Sequence, residues 1–301
     1  MRQLLHLCGW ILLASLCFST TCERPVELDI PEPPSRLVIS SAFTLGHPVK
    51  VQVTRSQSIF DESAPVNLAN ARVELWQGEQ LLEVLVLVIQ EAERIPPYYS
   101  TVAFTPVAGV TYTIKAEAPG FEPAMAHSFI PEPVAITSLS VSNIQARADS
   151  ASREKAYSYR VTLNFDDPVE ETNYYHLNIF QEVFTFSLNE AGDTLIDDRS
   201  LLRAAINIDD PQVVPDRMIG GVLLKDNPFS EGLALDLSMS IIPEYQYLGQ
   251  LYVELRTVTE EYYLFYTSYS RQQEQEDGPF IDPVIPFNNV ENGHGFFVGY
   301  N

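Results

Sequence analysis

The chain has 301 residues and a formal net charge of −22 at pH 7, from 40 acidic and 18 basic side chains. That surface repels nucleic acid and anionic lipid headgroups, so DNA and RNA are not expected partners. Apolar residues make up 46% of the chain, enough for more than one hydrophobic core, and the length suits two domains.

The first segment sets the address. Arg2 is its only acid or basic charge, residues 4–18 are almost wholly apolar, and Ser19-Thr20-Thr21 follow. A cationic head, a short apolar run and small residues describe a secretory signal peptide over residues 1–21. The run is shorter than the roughly 20 residues a spanning helix needs, although an uncleaved N-terminal anchor is the alternative reading. Of the three cysteines, Cys8 and Cys17 lie in that run, so cleavage before Cys22 leaves the mature chain one thiol at its N-terminus. A lone exposed thiol is a liability in an oxidising compartment. Acylation of Cys22, the chemistry of bacterial lipoproteins, resolves it; Ser19, Thr20 and Thr21 are small but are not the Leu and Gly/Ala usual there. Residues 22–35, rich in proline and acids, then read as an extended tether holding the fold off the membrane.

In chain order, alternation or β-rich composition predicts strands at 37–43, 49–54 and 71–76, with a turn at Gly46-His47-Pro48. Residues 81–89, apolar but for Glu83, are read as one strand covered on both faces. Strands at 98–104 and 109–118 complete about seven short elements punctuated by Gly and Pro. That spacing predicts an immunoglobulin-like sandwich over 36–130, of a type lacking the Cys…Trp…Cys core. Ile130-Pro131-Glu132-Pro133 stops both strands and helices and marks a boundary. Beyond it, 157–165, 174–188, 233–241 and 250–258 read as strands, with a polar loop over 189–199. Residues 259–273 read as a helix with Thr259 as N-cap and Glu260 and Glu261 in its first turn. Tyr262, Phe265, Tyr266 and Tyr269 form one aromatic face, expected to pack on a sheet rather than to hold a ligand. The expected fold is therefore mainly β: a sandwich over 36–130, then a second β-rich domain over 131–301 carrying one helix.

Three stretches carry a resemblance: the tether leading into Leu37-Val38-Ile39-Ser40, the segment Phe165-Asp166-Asp167-Pro168…Asn173-Tyr174-Tyr175, and the tail. The most specific part is the tail's Asn288-Asn289, then Asn292-Gly293-His294-Gly295-Phe296-Phe297. Together they resemble a family of Bacteroidetes outer-membrane lipoproteins known only as a domain of unknown function, often encoded beside TonB-dependent receptors. The resemblance implies an outer-membrane address and a partnership with such a receptor, and it carries over no catalytic residue. From the residues themselves, Gly293, Gly295 and Gly299 suit close backbone approach and the asparagines suit turns, ending in a strand at 295–298.

The chemistry sought elsewhere is sparse. His47, His127, His176 and His294 lie apart with no zinc-ligand spacing, and no Gly-x-Ser-x-Gly elbow occurs. The pairs Asp166-Asp167, Asp197-Asp198, Asp209-Asp210 and Asp226-Asn227 read as solvated turns, with a Ca²⁺ site or a carboxylate-based hydrolase as alternatives. No cofactor, metal or catalytic residue is expected. Cys22 is the one site residue, and the expected role is a non-enzymatic binding or accessory lipoprotein working with a TonB-dependent receptor. A structural or adhesive surface role is the rival.

Overall fold

The strand-forming segments pair into three sheets, and apolar alternation decides which face of each is buried. The computed structural model describes residues 34–58, 61, 63–90, 95–148, 153–168, 170–207, 210–226, 232–274 and 284–301. Cys22, the leader and the tether up to residue 33 lie outside the described residues, as do Asp209 and Asn227. Ser35–Asn301 form one compact unit.

The first eight strands are β1 (Leu37–Thr44), β2 (Lys50–Arg55), β3 (Arg72–Gln77), β4 (Gln80–Val84), β5 (Val86–Gln90), β6 (Ile95–Ser100), β7 (Thr111–Glu117) and β8 (Ala124–Phe129). Order β4-β3-β7-β8 makes one layer; β1-β2-β6-β5 makes the other, at one end of a ten-stranded sheet. Alternate residues from both layers, among them Ile39, Phe43, Val51, Val53, Leu75, Tyr112 and Ile114, fill the sandwich core. Burying side chains of this size stabilises by about 1.5–3 kcal/mol each.

The run 81–89 departs from expectation. It breaks at Leu85 into β4 and β5, which belong to different sheets. Leu85 is 5% exposed and its amide donates to Val73 O at 2.8 Å, so the apolar peg of the run anchors the crossing point. Val84, Val86 and Ile89 lie instead on sheet edges, with 40%, 53% and 56% exposure. The stretch is also not wholly apolar: Glu83 lies within it, and its carboxylate accepts from Val102 N at 2.7 Å and Phe104 N at 2.9 Å, so one run serves two sheets around a single buried residue.

The second layer pair uses β9 (Ile136–Ala148), β10 (Lys155–Phe165), β11 (Tyr174–Leu188), β12 (Thr194–Arg203), β13 (Ala205–Asn207), β14 (Val213–Pro215), β15 (Val222–Lys225), β16 (Leu233–Ile241) and β17 (Gln246–Val258). Sheet β13-β16-β10-β9 covers the β14-β15-β11-β17 part of the large sheet. Between them Val161, Leu163, Tyr175, Leu177, Ile179, Leu235 and Leu237 form a second core. The expected polar loop at 189–199 is a loop only as far as residue 193. From Thr194 the chain is β12, paired with β11 from Leu188↔Thr194 to Phe180↔Arg203. Asp197 and Asp198 therefore sit in a strand rather than a turn. All of β12 but Ser200 is exposed, so an edge strand there carries the composition of a loop.

The helix, α1 (Glu260–Glu274), lies on the large sheet's other face. Thr259 caps it as expected: its Oγ1 accepts from Tyr262 N at 3.3 Å. Tyr262, Phe265 and Tyr266 bury against Tyr174, Leu223, Phe296 and Val298 in a third cluster.

The last strand, β18 (His294–Tyr300), joins the two halves of the large sheet. It pairs in parallel with β1 along its whole length and meets β17 at Val258↔Tyr300. Its adjacent phenylalanines face opposite ways: Phe296 lies 4.0 Å from Phe265 on α1, and Phe297 stacks at 4.5 Å on Phe43 of the first core. The tail asparagines have a structural task. Asn289 Nδ2 donates to Phe297 O at 2.9 Å and its Oδ1 accepts from Phe297 N at 3.0 Å, a side-chain substitute for a neighbouring strand. Gly299 leaves room for a backbone crossing, since a Cβ there would overlap Phe129 O.

Candidate functional site

A cleft of about 710 Å³ opens at the head of α1. One wall is the proline-bounded segment Ile130-Pro131-Glu132-Pro133, the second is the turn at Pro168 and 171–173, and the floor is Thr257-Val258-Thr259 leading into Glu260 and Glu261. Prolines fix φ, so these walls are stiff before anything binds. The second wall is also tied down. Asn173 Nδ2 donates to Pro168 O and Glu171 O at 2.8 and 2.9 Å, and Asn173 N donates to Asp226 Oδ1 at 2.7 Å. Asp226, held at φ 54°, returns its own amide to Asn173 O.

The lining is acidic. Glu132, Glu171, Glu260 and Glu261 face one cation, Lys225. Tyr174 forms part of the wall and its hydroxyl donates to Glu260 Oε1 at 2.7 Å. Burial, followed by that bond and the charges of Glu260 and Asp226, raises the phenol's pKa well above its ordinary value. Thr257 is 5% exposed, and its Oγ1 has no hydrogen-bond partner among the described residues.

Two residues further along β11, on the same face as Tyr174, lies a sealed polar cluster. His176 Nε2 is 2.7 Å from Gly220 O, a carbonyl that can only accept, so Nε2 carries the proton. Nδ1 then accepts from Tyr262 Oη at 2.8 Å. Burial pushes the His176 pKa down to about 4. Asp216 Oδ2 lies 3.5 Å from Nε2 and has no hydrogen-bond partner among the described residues, and burial pushes this carboxyl up. Both side chains have zero exposure and neither lines the cleft. This histidine orders the helix on the sheet; it is not presented to a ligand.

The residues singled out from sequence do not gather. His47 lines a separate hollow with Lys50 and Tyr300, while His127 and His294 lie on β8 and β18. Asp167 accepts from the Tyr175 hydroxyl, and Asp197 and Asp198 accept from Ser187 and Ser200 on and beside β12. Among the described residues no three His, Cys, Asp or Glu side chains converge to hold a metal ion. Nor is any helix among them long and apolar enough to cross a membrane. No local pattern marks the cleft residue by residue, although Pro131, Pro133 and Pro168 in its walls carry boundary and turn signals.

Residues 23–301 match the family model described as "Domain of unknown function (DUF4249)". No curated protein matches the chain. Among solved structures, trypsin-activated alpha-2-macroglobulin from Escherichia coli is similar at 12% identity and a TM-score of 0.22, covering 78% of this chain and 15% of that one. A Salmonella alpha-2-macroglobulin mutant gives 12% identity and a TM-score of 0.22, covering 80% and 16%. The chain thus spans about 15% of the length of these proteins, and so slight a likeness bears neither on architecture nor on function.

Proposed function

The chain belongs to this family of unknown function, and from that premise we propose that it is a lipid-anchored accessory protein of the bacterial outer membrane. In this reading it is held by an acyl group on Cys22, does no covalent chemistry and works beside a TonB-dependent receptor in uptake. The family match begins at residue 23, immediately after Cys22, which supports a functional chain that starts at that cysteine.

The observation that carries the partner half of the proposal is β9. Among the described residues it ends its sheet and leaves one edge unpaired, and every one of its 13 residues is exposed. Leu139 and Val141 stand opposite Leu163 and Val161, whose side chains fill the second core, yet they are 42% and 45% exposed. The core margin is thus left uncovered. Natural edges are usually blunted by charge or proline; β9 carries Arg147 alone and a bulge near Asn143, where φ is 54°. Such a margin fits an extended strand or apolar rim of a partner.

The test has two arms. Mass spectrometry of the protein from outer membranes should find an acylated Cys22 N-terminus; an unmodified thiol or cleavage elsewhere sinks the anchor. Affinity capture from solubilised membranes should recover a receptor barrel with the wild type and lose it with Leu139→Lys/Val141→Lys. A capture that contains no barrel removes the partner.

A further inference from the structure

We propose that the open side of the second sandwich, between β9 and β17, accepts an extended segment of a partner protein as an added strand on β17. Both sheets leave that side open. β12 runs into β13 through buried Ala204, so the two sheets meet there and close one side of the sandwich. β9 lies at the other side, across β16 and β10, and β17 lies there too, across β11. β17 pairs with β11 from Gln246 to Val258, but it meets β18 only at Val258↔Tyr300. Among the described residues, its second edge therefore has no strand beside it before Thr257.

The geometry of that edge defines what fits it. Thr257 O accepts from Asn301 N at 2.9 Å, so Thr257 turns its backbone groups away from β11. The strand period of two puts the N–H and C=O groups of Leu251, Val253 and Leu255 on the same side. Ile179, opposite Val253, fixes the phase from across the ladder, because its carbonyl takes Ala204 N rather than a group of β17. The side chains of Leu251, Val253 and Leu255 pack on the second core yet stay only half-buried. On the facing sheet Leu139 and Val141 are exposed. A row of backbone donors and acceptors thus runs beside an uncovered apolar margin. A helix keeps its own backbone groups bonded internally. An extended chain can bond the row and turn alternate apolar side chains towards Leu139 and Val141.

Charge and shape choose the occupant. β9 and residues 251–256 together carry two arginines and one acid, Glu254, which is bonded to Arg256 at 3.0 Å. The segment they take is therefore apolar and of low charge. A second copy would bring its own charge of −22. A symmetric β9 pair centred on Ser142 would also break where the two bulges near Asn143 meet. A closed barrel has no free strand edge, so a receptor would supply the segment from a loop or terminal extension.

The inference deepens the partner half of the reading above and rests on it. Photo-cross-linking in solubilised membranes, from benzoylphenylalanine in place of Val141 in the full chain, maps the segment, with Leu201 on exposed β12 as the control position. Made as a peptide, that segment should bind the wild-type chain saturably. It should slow exchange of the Leu251, Val253 and Leu255 amides about tenfold or more and leave the β12 amides unchanged. N-methylating alternate peptide residues should weaken binding about tenfold or more in one phase and less than about twofold in the other, since only one edge of the added strand is bonded. A cross-link to a second copy, no cross-link from Val141, equal losses in both methylation phases, or binding without protection of those three amides overturns the proposal. Receptor capture that persists under any of those outcomes would leave the accessory reading standing and remove only the strand site. Protection by a segment of a protein that is not a receptor would keep the strand site and remove the receptor.

Discussion

Replacing Phe297 by alanine should destabilise the first sandwich more than the layer under α1. Phe297 has zero exposure and stacks at 4.5 Å on Phe43, which is itself 2% exposed. Truncating a fully buried phenylalanine removes its transfer free energy and leaves a cavity, together about 3–5 kcal/mol. Gly295 and Gly299 pack hard against neighbouring backbone, so β18 is poorly placed to move in and fill the gap. A loss of about 4 kcal/mol in a fold of this size lowers the melting temperature by about 8–16 °C. The assay is urea unfolding of Phe297→Ala, Phe43→Ala and the double variant, with hydrogen exchange followed on β1 and β2. The cycle should show a favourable coupling of about 0.5–1.5 kcal/mol for the stacked pair. Phe296→Ala provides the directional control, because its ring faces α1 and should loosen helix amides first. A loss below about 1.5 kcal/mol for Phe297→Ala, or the same exchange pattern from both variants, would refute the assignment of these two rings to opposite cores.

Gly299→Ala should be worse than its size suggests, since the new Cβ meets the Phe129 carbonyl, which is backbone and cannot rotate away; a melting temperature within about 2 °C of wild type contradicts the close crossing. For His176 the folded pKa is about 4 against an ordinary 6.5. Between those values only the unfolded chain takes the proton, so stability is full above pH 6.5 and falls by about 3 kcal/mol as pH drops towards 4. Urea midpoints across that window should lose about one proton's worth of slope in His176→Gln, and an unchanged slope refutes the buried neutral imidazole. Asp216 works against this trend because burial raises its pKa. Asp216→Asn should therefore be neutral or stabilising near pH 7, where an unpartnered charged oxygen is replaced by an amide; a loss above about 1 kcal/mol would show that Oδ2 has a partner.

What could be read ahead of the structure follows from how locally each feature is encoded. The α1 aromatic face, its Thr259 cap and the alternating strands β1, β2, β3, β7 and β10 need only their own residues, because a single period of 3.6 or 2 reports which face is buried. The failures are places where burial is decided by distant chain. Residues 81–89 look apolar but for Glu83, yet Leu85 alone is buried, because there the chain leaves its pairing with β3 and crosses to the other sheet. β12 looks like loop because an exposed edge asks nothing apolar of its residues. The tail was legible as glycines needing close approach, but not as a strand that lies between β17 and β1, since parallel pairing across more than 250 residues leaves no local mark. The cleft lies at the same level. Pro131, Pro133, Pro168 and the helix-head glutamates were each visible as boundary, turn or cap, and each has that local task in the structure. They make a site only because β11 pairs with both β15 and β17, which brings Asn173, Tyr174, Lys225 and Thr257 round to the head of α1. Whether a buried hydroxyl such as Thr257 Oγ1 finds a partner among the described residues is likewise set by the assembled fold and by no sequence pattern.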